Sequence, residues 1–330
     1  MPPGVNPFEY FDIDWRFVFL DASLQLEEEL IEETDEYAIR RNAYGLTARY
    51  YRTREAPAEI LDAEIKTRAD WERLKGRLVA NRERIAATGF YSLVDDWTPP
   101  EMDWEKRKAQ IQEIVEGDNY VVMYFYGGFE SLWRKLGFTQ ALTAMAEEPE
   151  WMRDMIEAHT DMVIDTYRIM HEEGLHIDGV LLSCDMAYKT GPLFSPKMYR
   201  ELELPSAKRM WEAFRELGVQ AIYHGDGNFE EFIPLLIEAG FQCIQPMEVN
   251  AGMDVRELKR KYGKDLAFMG NIAHHEMMLP DEAEAKAVIQ DKVRVASEGG
   301  GYIYHSDHSI PPSVSLERYK KVLEWVEEAG

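Results

Sequence analysis

The sequence predicts an α/β fold, a (β/α)8 TIM-type barrel with an irregular N-terminal extension, on three observations. The chain has 330 residues, enough for one large barrel and an extension. Its second half repeats one pattern: a short apolar run, a polar break, then an amphipathic helix. The apolar runs also stop, one after another, on residues able to do chemistry. Strands alternating with helices of this length pair in parallel through right-handed crossovers.

In chain order, Phe17–Leu20 reads as a strand, Tyr44–Arg52 as a hairpin, and Ser23–Glu36, Ala69–Arg84 and Met102–Val115 as helices. These belong to an N-terminal extension with the first barrel elements, residues 1–115, and regular β/α units are expected over 116–330. Asn119–Phe125 reads as a strand, followed by helices near Phe129–Ala146 and Glu150–Glu173. The next strands are Gly179–Cys184, Gln220–Tyr223, Cys243–Met247, Leu266–Met269 and Tyr302–Tyr304. Between and after them fall helices near Pro196–Glu216, Phe229–Ala239, Asp254–Tyr262, Asp281–Ser297 and Ser315–Glu328. Ser195-Pro196, Asp254, Pro280-Asp281 and Ser315 supply start signals. Gly218, Gly240 and Gly263 stand where a left-handed C-terminal cap is wanted. From residue 116 onward six strands are countable. Closure needs eight, so the barrel is inferred from the alternation rather than counted. No linker rich in Gly, Ser or Pro divides the chain, and one domain over 1–330 is the economical reading.

Composition narrows the partners. With 61 acidic against 37 basic residues the formal charge is −24, a field that repels a phosphate backbone, so nucleic acid is not an expected partner. The acidic runs Glu27-Glu28-Glu29 and Glu32-Glu33-Thr34-Asp35-Glu36 read as a solvated helix face. No apolar run is long enough to span a membrane. Met1–Tyr10 lacks the basic segment and apolar core of a signal peptide, and Cys184 and Cys243 make no disulfide framework. A cytoplasmic location is therefore expected.

In barrels and open parallel sheets, chemistry sits where strands end and the following loops begin. Here the runs end at Asp185; at His224, with Asp226 two residues on; at Glu248; at Gly270-Asn271; and at His305, with Asp307 and His308 just beyond. His224 and Asp226, one residue apart, face the same side of an extended backbone. Gly225 and Gly227 beside them permit close backbone approach. With His308 or Asp307, and Glu248 from between, His224 and Asp226 could enclose a divalent metal, the set His224, Asp226 and His308 foremost; it offers imidazole and carboxylate without thiolate, which suits zinc and also manganese or iron. The plainer alternative is that His224 and Asp226 hydrogen-bond each other. Asp185, Asp226, Glu248 and Asp307 are the candidate catalytic carboxylates. Tyr188, Glu203 and Asn271 are candidate substrate-binding residues, and the two cysteines read as small buried hydrophobes.

The segment Asp185-Met186-Ala187-Tyr188-Lys189-Thr190-Gly191-Pro192 through Ser195-Pro196 resembles the uroporphyrinogen decarboxylase superfamily. So do His224-Gly225-Asp226-Gly227-Asn228, Ala251-Gly252-Met253-Asp254, Gly270-Asn271 and Asp307-His308-Ser309-Ile310-Pro311-Pro312. Their order and spacing match from about residue 118 onward. The resemblance implies a (β/α)8 barrel and one of two chemistries. Decarboxylases of this superfamily work without metal and grip substrate carboxylates through an arginine-rich N-terminal loop. The N-terminal strand here, Phe17-Val18-Phe19-Leu20-Asp21, has no match to it. The other branch holds corrinoid-dependent methyltransferases. In its thiol-methylating members zinc is bound at positions that look like His224, Asp226 and His308, with thiolates where this chain has Asp226 and His308. Ether-cleaving relatives look to use a Glu…Glu…His set, which would fall on Tyr188, Glu203 and His224. The resemblance implies methyl transfer from a small methoxylated or N-methylated donor to a corrinoid on a partner protein, assisted by a divalent metal such as zinc. The alternatives are a metal-independent decarboxylase of a small carboxylic acid and a ligand-binding barrel without catalysis.

Overall fold

The computed structural model describes residues 5, 7–53, 57–86 and 103–330, so Met102 at the start of one expected helix lies outside the described residues. The chain falls into two compact units. One comprises Asp14–Cys184 and Met198–Val219, the other Met1–Ile13, Asp185–Lys197 and Gln220–Gly330.

The first unit is built on three parallel strands, β1 (Trp15–Leu20), β2 (Tyr120–Tyr126) and β3 (Gly179–Ser183). Trp15 lies opposite Tyr120 and Phe19 opposite Tyr124, while Val122 faces Gly179 and Tyr126 faces Ser183. Alternation sorts their side chains. Val18 and Leu20 are buried, whereas Trp15, Phe17 and Phe19 point the other way and stay half-buried, Trp15 tilted against Tyr120 and both phenylalanines in edge contact with Tyr124. A two-residue strand, Ile85–Ala86, runs antiparallel to β1. Among the described residues, then, the expected run of parallel strands is completed on this side by a short antiparallel one.

The irregular N-terminal part departs most from expectation. Glu29–Glu33, inside the segment read as a helix, is the edge strand of a four-stranded antiparallel meander with Tyr37–Arg41, Leu46–Tyr51 and Glu59–Ala63. Its acids pair across strands: Glu29 with Arg41 at 3.0 Å, Glu32 with the Tyr37 hydroxyl at 2.7 Å, and Glu33 with Arg52. Such cross-strand pairing gives an acidic run a reason to be extended. The expected hairpin begins earlier than Tyr44. Its turn is tied by Asn42, whose Oδ1 accepts from Tyr44 N and Leu46 N, and by Gly45 at φ +91°.

Expected single helices split where the backbone requires it. Gly137, at φ +85°, separates Gly128–Leu136 from Phe138–Glu147. Pro205, lacking an N–H, opens the ladder between Pro196–Leu202 and Leu204–Glu216 and leaves Glu203 at the junction. The expected Ala69–Arg84 helix is shorter, Arg68–Leu74, and Arg84 has a different use. Fully buried, its guanidinium donates to the carbonyls of Val79, Asp21, Ser23 and Arg77 at 2.8–2.9 Å.

The second unit carries β4 (Gln220–Gly225), β5 (Cys243–Pro246), β6 (Ala267–Met269) and β7 (Tyr302–Ile303), all in parallel register. β4 runs two residues further than expected, so His224 stands on the strand, opposite Gln245. Ile233–Ala239, Val255–Tyr262, Glu282–Ser297 and Leu316–Glu327 are the main helices. Asp254, Asp281 and Ser315 cap the last three through side-chain oxygens, as their spacing predicts. Gly218 and Gly240 take positive φ, but Gly263 does not: at φ −66° it continues the right-handed turn, and Asp265 N and Leu266 N reach Tyr262 O. Ile272, Met277, Ile289, Val293, Val322 and Trp325 pack as one apolar cluster beneath the strand ends.

Lys135, in the first unit, is fully enclosed, and its Nζ donates to Ser131 O at 2.9 Å. Burial, with repulsion from Arg84, pushes its ammonium down from 10.5 to about 7. The unfolded chain therefore holds more protons than the folded one between about pH 7 and 10.5, and stability rises with pH across that window. We expect Lys135→Met to be more stable than the parent at pH 7. The advantage should shrink toward pH 10 by on the order of 1 kcal/mol per pH unit in urea unfolding. A difference that does not change with pH would refute this assignment.

Candidate active site

The candidate site is built within the second unit. β4 delivers His224 at its end and Asp226 just beyond, and the loop opening at Asp185 comes back to them: Asp185 Oδ1 accepts from Asp226 N at 2.9 Å. One donor atom from each of Asp185, His224 and Asp226 lies within 4.8 Å of the others. His308 Nε2 stands 3.6 Å from Asp226 Oδ2. The other oxygen, Asp226 Oδ1, is buried and has no hydrogen-bond partner among the described residues.

Opposed forces set the charge of this carboxyl. Burial is the largest influence and raises its pKa. The close approach of His308 and the fields of His224 and His308 act the other way, and the net shift is downward. His308 is shifted upward, first by its polar contact with Asp226, with burial opposing and the fields of Asp226, Glu248 and Asp307 adding to it.

Glu248 and Asp307 sit in the same region but hold backbone. Glu248 Oε2 accepts from Gly227 N at 3.1 Å, and Asp307 Oδ2 accepts from Val249 N at 3.1 Å. Gly227 is a requirement of the packing: at φ +78°, a Cβ there would stand 2.6 Å from Ala187 O and 2.7 Å from Tyr188 O. The adjoining Asn228 N donates to Tyr188 O at 2.9 Å. The Tyr188 side chain is 59 % exposed, so what joins this loop to the site is its main chain.

The donor group differs by one member from the set expected from sequence, with Asp185 rather than His308 beside His224 and Asp226. Asn271, expected to meet substrate, is a buried brace. Its Oδ1 accepts from Val255 N at 3.1 Å, and its Nδ2 donates to Met253 O at 2.6 Å and to Met247 O. Its own carbonyl accepts from Lys292 Nζ at 2.9 Å, and Lys292 is ion-paired with Glu276 at 2.6 Å. Glu203 belongs to the first unit. Burial pushes its carboxyl up to about 8, and a hydrogen bond from Phe129 N opposes this. Cys184 and Cys243 are buried, and burial pushes the Cys243 thiol up to about 12.

Two residues escaped the sequence reading. Gln245, polar inside the apolar run of β5, contacts His224 Nδ1 through its Oε1. His305, noted only as a strand end, lies on the other side of the same amide. A polar residue inside a buried strand was the available signal.

The family described as Uroporphyrinogen decarboxylase (URO-D) matches residues 131–329. A curated uroporphyrinogen decarboxylase of Streptomyces avermitilis is 24 % identical over 132 residues, 40 % of this chain and 36 % of that protein. One from Streptomyces coelicolor is 26 % identical over 132 residues, with the same coverage. The chain thus spans little more than a third of the length of these relatives. Among solved structures, a methyltransferase from Methanosarcina mazei superposes with a TM-score of 0.53 at 18 % identity, over 67 % of this chain and 62 % of the other. That likeness shows the fold, the α/β barrel class expected from the sequence.

Removing the Asn271 brace strips buried partners from three backbone groups. We expect Asn271→Ala to cost about 2–4 kcal/mol in chemical unfolding. A loss below about 1 kcal/mol would mean that water replaces the amide.

Proposed function

Since the chain belongs to the uroporphyrinogen decarboxylase (URO-D) family, we propose that it is a methyltransferase-type member of it. In this reading it moves a methyl group from a small methoxylated or N-methylated donor to a corrinoid carried by a separate protein, with a divalent metal, zinc by preference, held by Asp185, His224 and Asp226. The observation that carries the proposal is the orphaned oxygen of Asp226. A buried carboxylate oxygen without a hydrogen bond is costly, and here it stands in a cluster with a second carboxylate and an imidazole. Three mixed N and O donors suit zinc with an open position. The superposed Methanosarcina methyltransferase supports the same direction. So does the N-terminal strand, Phe17-Val18-Phe19-Leu20-Asp21, which has no match to the arginine-rich loop of the decarboxylases. A metal bound there would supply Lewis-acid polarisation of the donor oxygen or nitrogen.

The rest of the chemistry falls to the chain's own side chains. Demethylation leaves charge on the donor heteroatom, and His308, its proton held toward Asp226, is placed to neutralise it. Glu248 and Asp307 act on the loops: by holding Gly227 N and Val249 N they keep the His224–Asp226 segment in position. The likeness to the Streptomyces uroporphyrinogen decarboxylases favours a second reading, metal-independent decarboxylation of a small carboxylic acid.

Purified protein should carry about one zinc or similar ion per chain by elemental analysis, and His224→Ala should lose it. With cob(I)alamin and a panel of methoxylated and N-methylated compounds, the protein should form methylcobalamin, followed by absorbance. Asp226→Asn should slow that transfer by at least ~100-fold. Carbon dioxide release from a small acid, with no methylcobalamin from any donor, would overturn the methyltransferase reading in favour of the second.

A further inference from the structure

We propose that Gln245 is a positioning residue that holds the His224 ring with its proton on Nδ1, leaving the Nε2 lone pair for the metal. The inference rests on the metal reading given above, and its test is built to separate the two.

His305 Nδ1 lies 2.6 Å from Ser306 O, and a carbonyl only accepts, so His305 carries its proton on Nδ1. Burial pushes His305 below the ordinary imidazole range, with the field of His224 adding to it against the opposing Ser306 bond and Asp307. In the neutral ring, Nε2 is then an acceptor only. Gln245 faces this ring with its amide nitrogen, 3.5 Å from Nε2 and 3.4 Å from Nδ1. An oxygen in that place would meet a lone pair, so the donor end of the amide belongs there. Its acceptor end, Oε1, therefore meets His224 Nδ1. An amide oxygen only accepts, so Nδ1 of His224 must bear the hydrogen.

Gln245 is 6 % exposed, which keeps water from competing for either end of the amide. The parallel register fixes the pairing, because His224 and Gln245 are direct neighbours across β4 and β5. In zinc sites, the partner of the non-ligating ring nitrogen sets both the tautomer and the orientation of the ligating one. Here a neutral amide, steered by a second histidine, takes the place more often held by a carboxylate or a backbone carbonyl.

The test uses the full chain, metal-free, with 15N-labelled histidine, and reads tautomers from two-bond 1H–15N correlations. Signals of His224 are identified by their loss in His224→Gln. Wild-type His224 should be protonated on Nδ1. Gln245→Met, which keeps the volume and removes the acceptor, should shift the ring toward Nε2 protonation. It should also weaken binding of Zn2+ alone by about 10- to 100-fold. Gln245→Glu, which keeps an acceptor at Nδ1, should restore the tautomer and bind Zn2+ at least as tightly as the wild type. Protonation of wild-type His224 on Nε2 overturns the inference. So does a Gln245→Met protein with unchanged tautomer and affinity, or a Gln245→Glu protein that behaves like Gln245→Met. If Gln245→Met fails to fold, the wild-type spectrum and Gln245→Glu still decide. If the wild type binds no Zn2+, the metal reading fails, while the tautomer spectra of the metal-free protein answer for Gln245 independently.

Discussion

A carboxylate taken out of water must find compensation, and the organisation of this site follows from how Asp226 finds only half of it. Desolvation alone would drive its proton back on, yet His308 and His224 together hold it on the ionised side. One of its oxygens faces His308 and the other has no hydrogen-bond partner among the described residues. The neighbouring acids are spent differently. Glu248 and Asp307 each satisfy a backbone N–H, which makes them fasteners of loops, and Asp185 reaches Asp226 through the main chain. Four acids that look equivalent in the sequence are thus sorted by what their oxygens already hold. Of the four, Asp226 is the one with a buried oxygen that has no hydrogen-bond partner among the described residues.

The polar residues at the strand ends made the site legible in the sequence. β4 to β7 are parallel and end on one side of the sheet, so Glu248, Asp307 and His308 follow strand ends near His224 and Asp226. Which partner stands third beside His224 and Asp226 was not legible. Both Asp185 and His308 follow strands, and the choice between them rests on loop conformation: the Asp185 loop is pinned by Gly227 packing on Ala187 O and Tyr188 O. Nor could the sequence separate an amide aimed at a ligand from one aimed at the backbone. Asn271 reads identically in both roles until Val255 N, Met247 O and Met253 O are seen around it.

The N-terminal meander failed for a related reason. The acidic run around Glu29–Glu33 carries no strong period of either kind, and composition alone favoured a solvated helix. What decides it is non-local: Arg41, Tyr37 and Arg52 stand across from Glu29, Glu32 and Glu33. Helix boundaries were legible wherever a side chain caps, as at Asp254, Asp281 and Ser315. The Glu203 junction shows the converse. The reading of one helix over Pro196–Glu216 passed over the break at Pro205, and the depth at which Glu203 is buried depends on Gly128 and Phe129 from a distant helix start.

The donor set also has a charge argument, and it bears on chemistry. Asp185 and Asp226 bring two negative charges and His224 none when neutral, so a dication bound there gives a site close to neutral overall. Thiolate ligands would bring the same charge but softer sulfur, favouring a soft metal and a sulfur-bearing substrate. Carboxylate and imidazole favour harder partners, which matches an oxygen or nitrogen methyl donor better than a thiol. A neutral Gln245 behind His224 preserves that balance, where a carboxylate in its place would add a third negative charge. The amide in β5 and the two carboxylates near His224 are therefore parts of one electrostatic arrangement, and in the proposed metal site changing either would change what the metal could polarise.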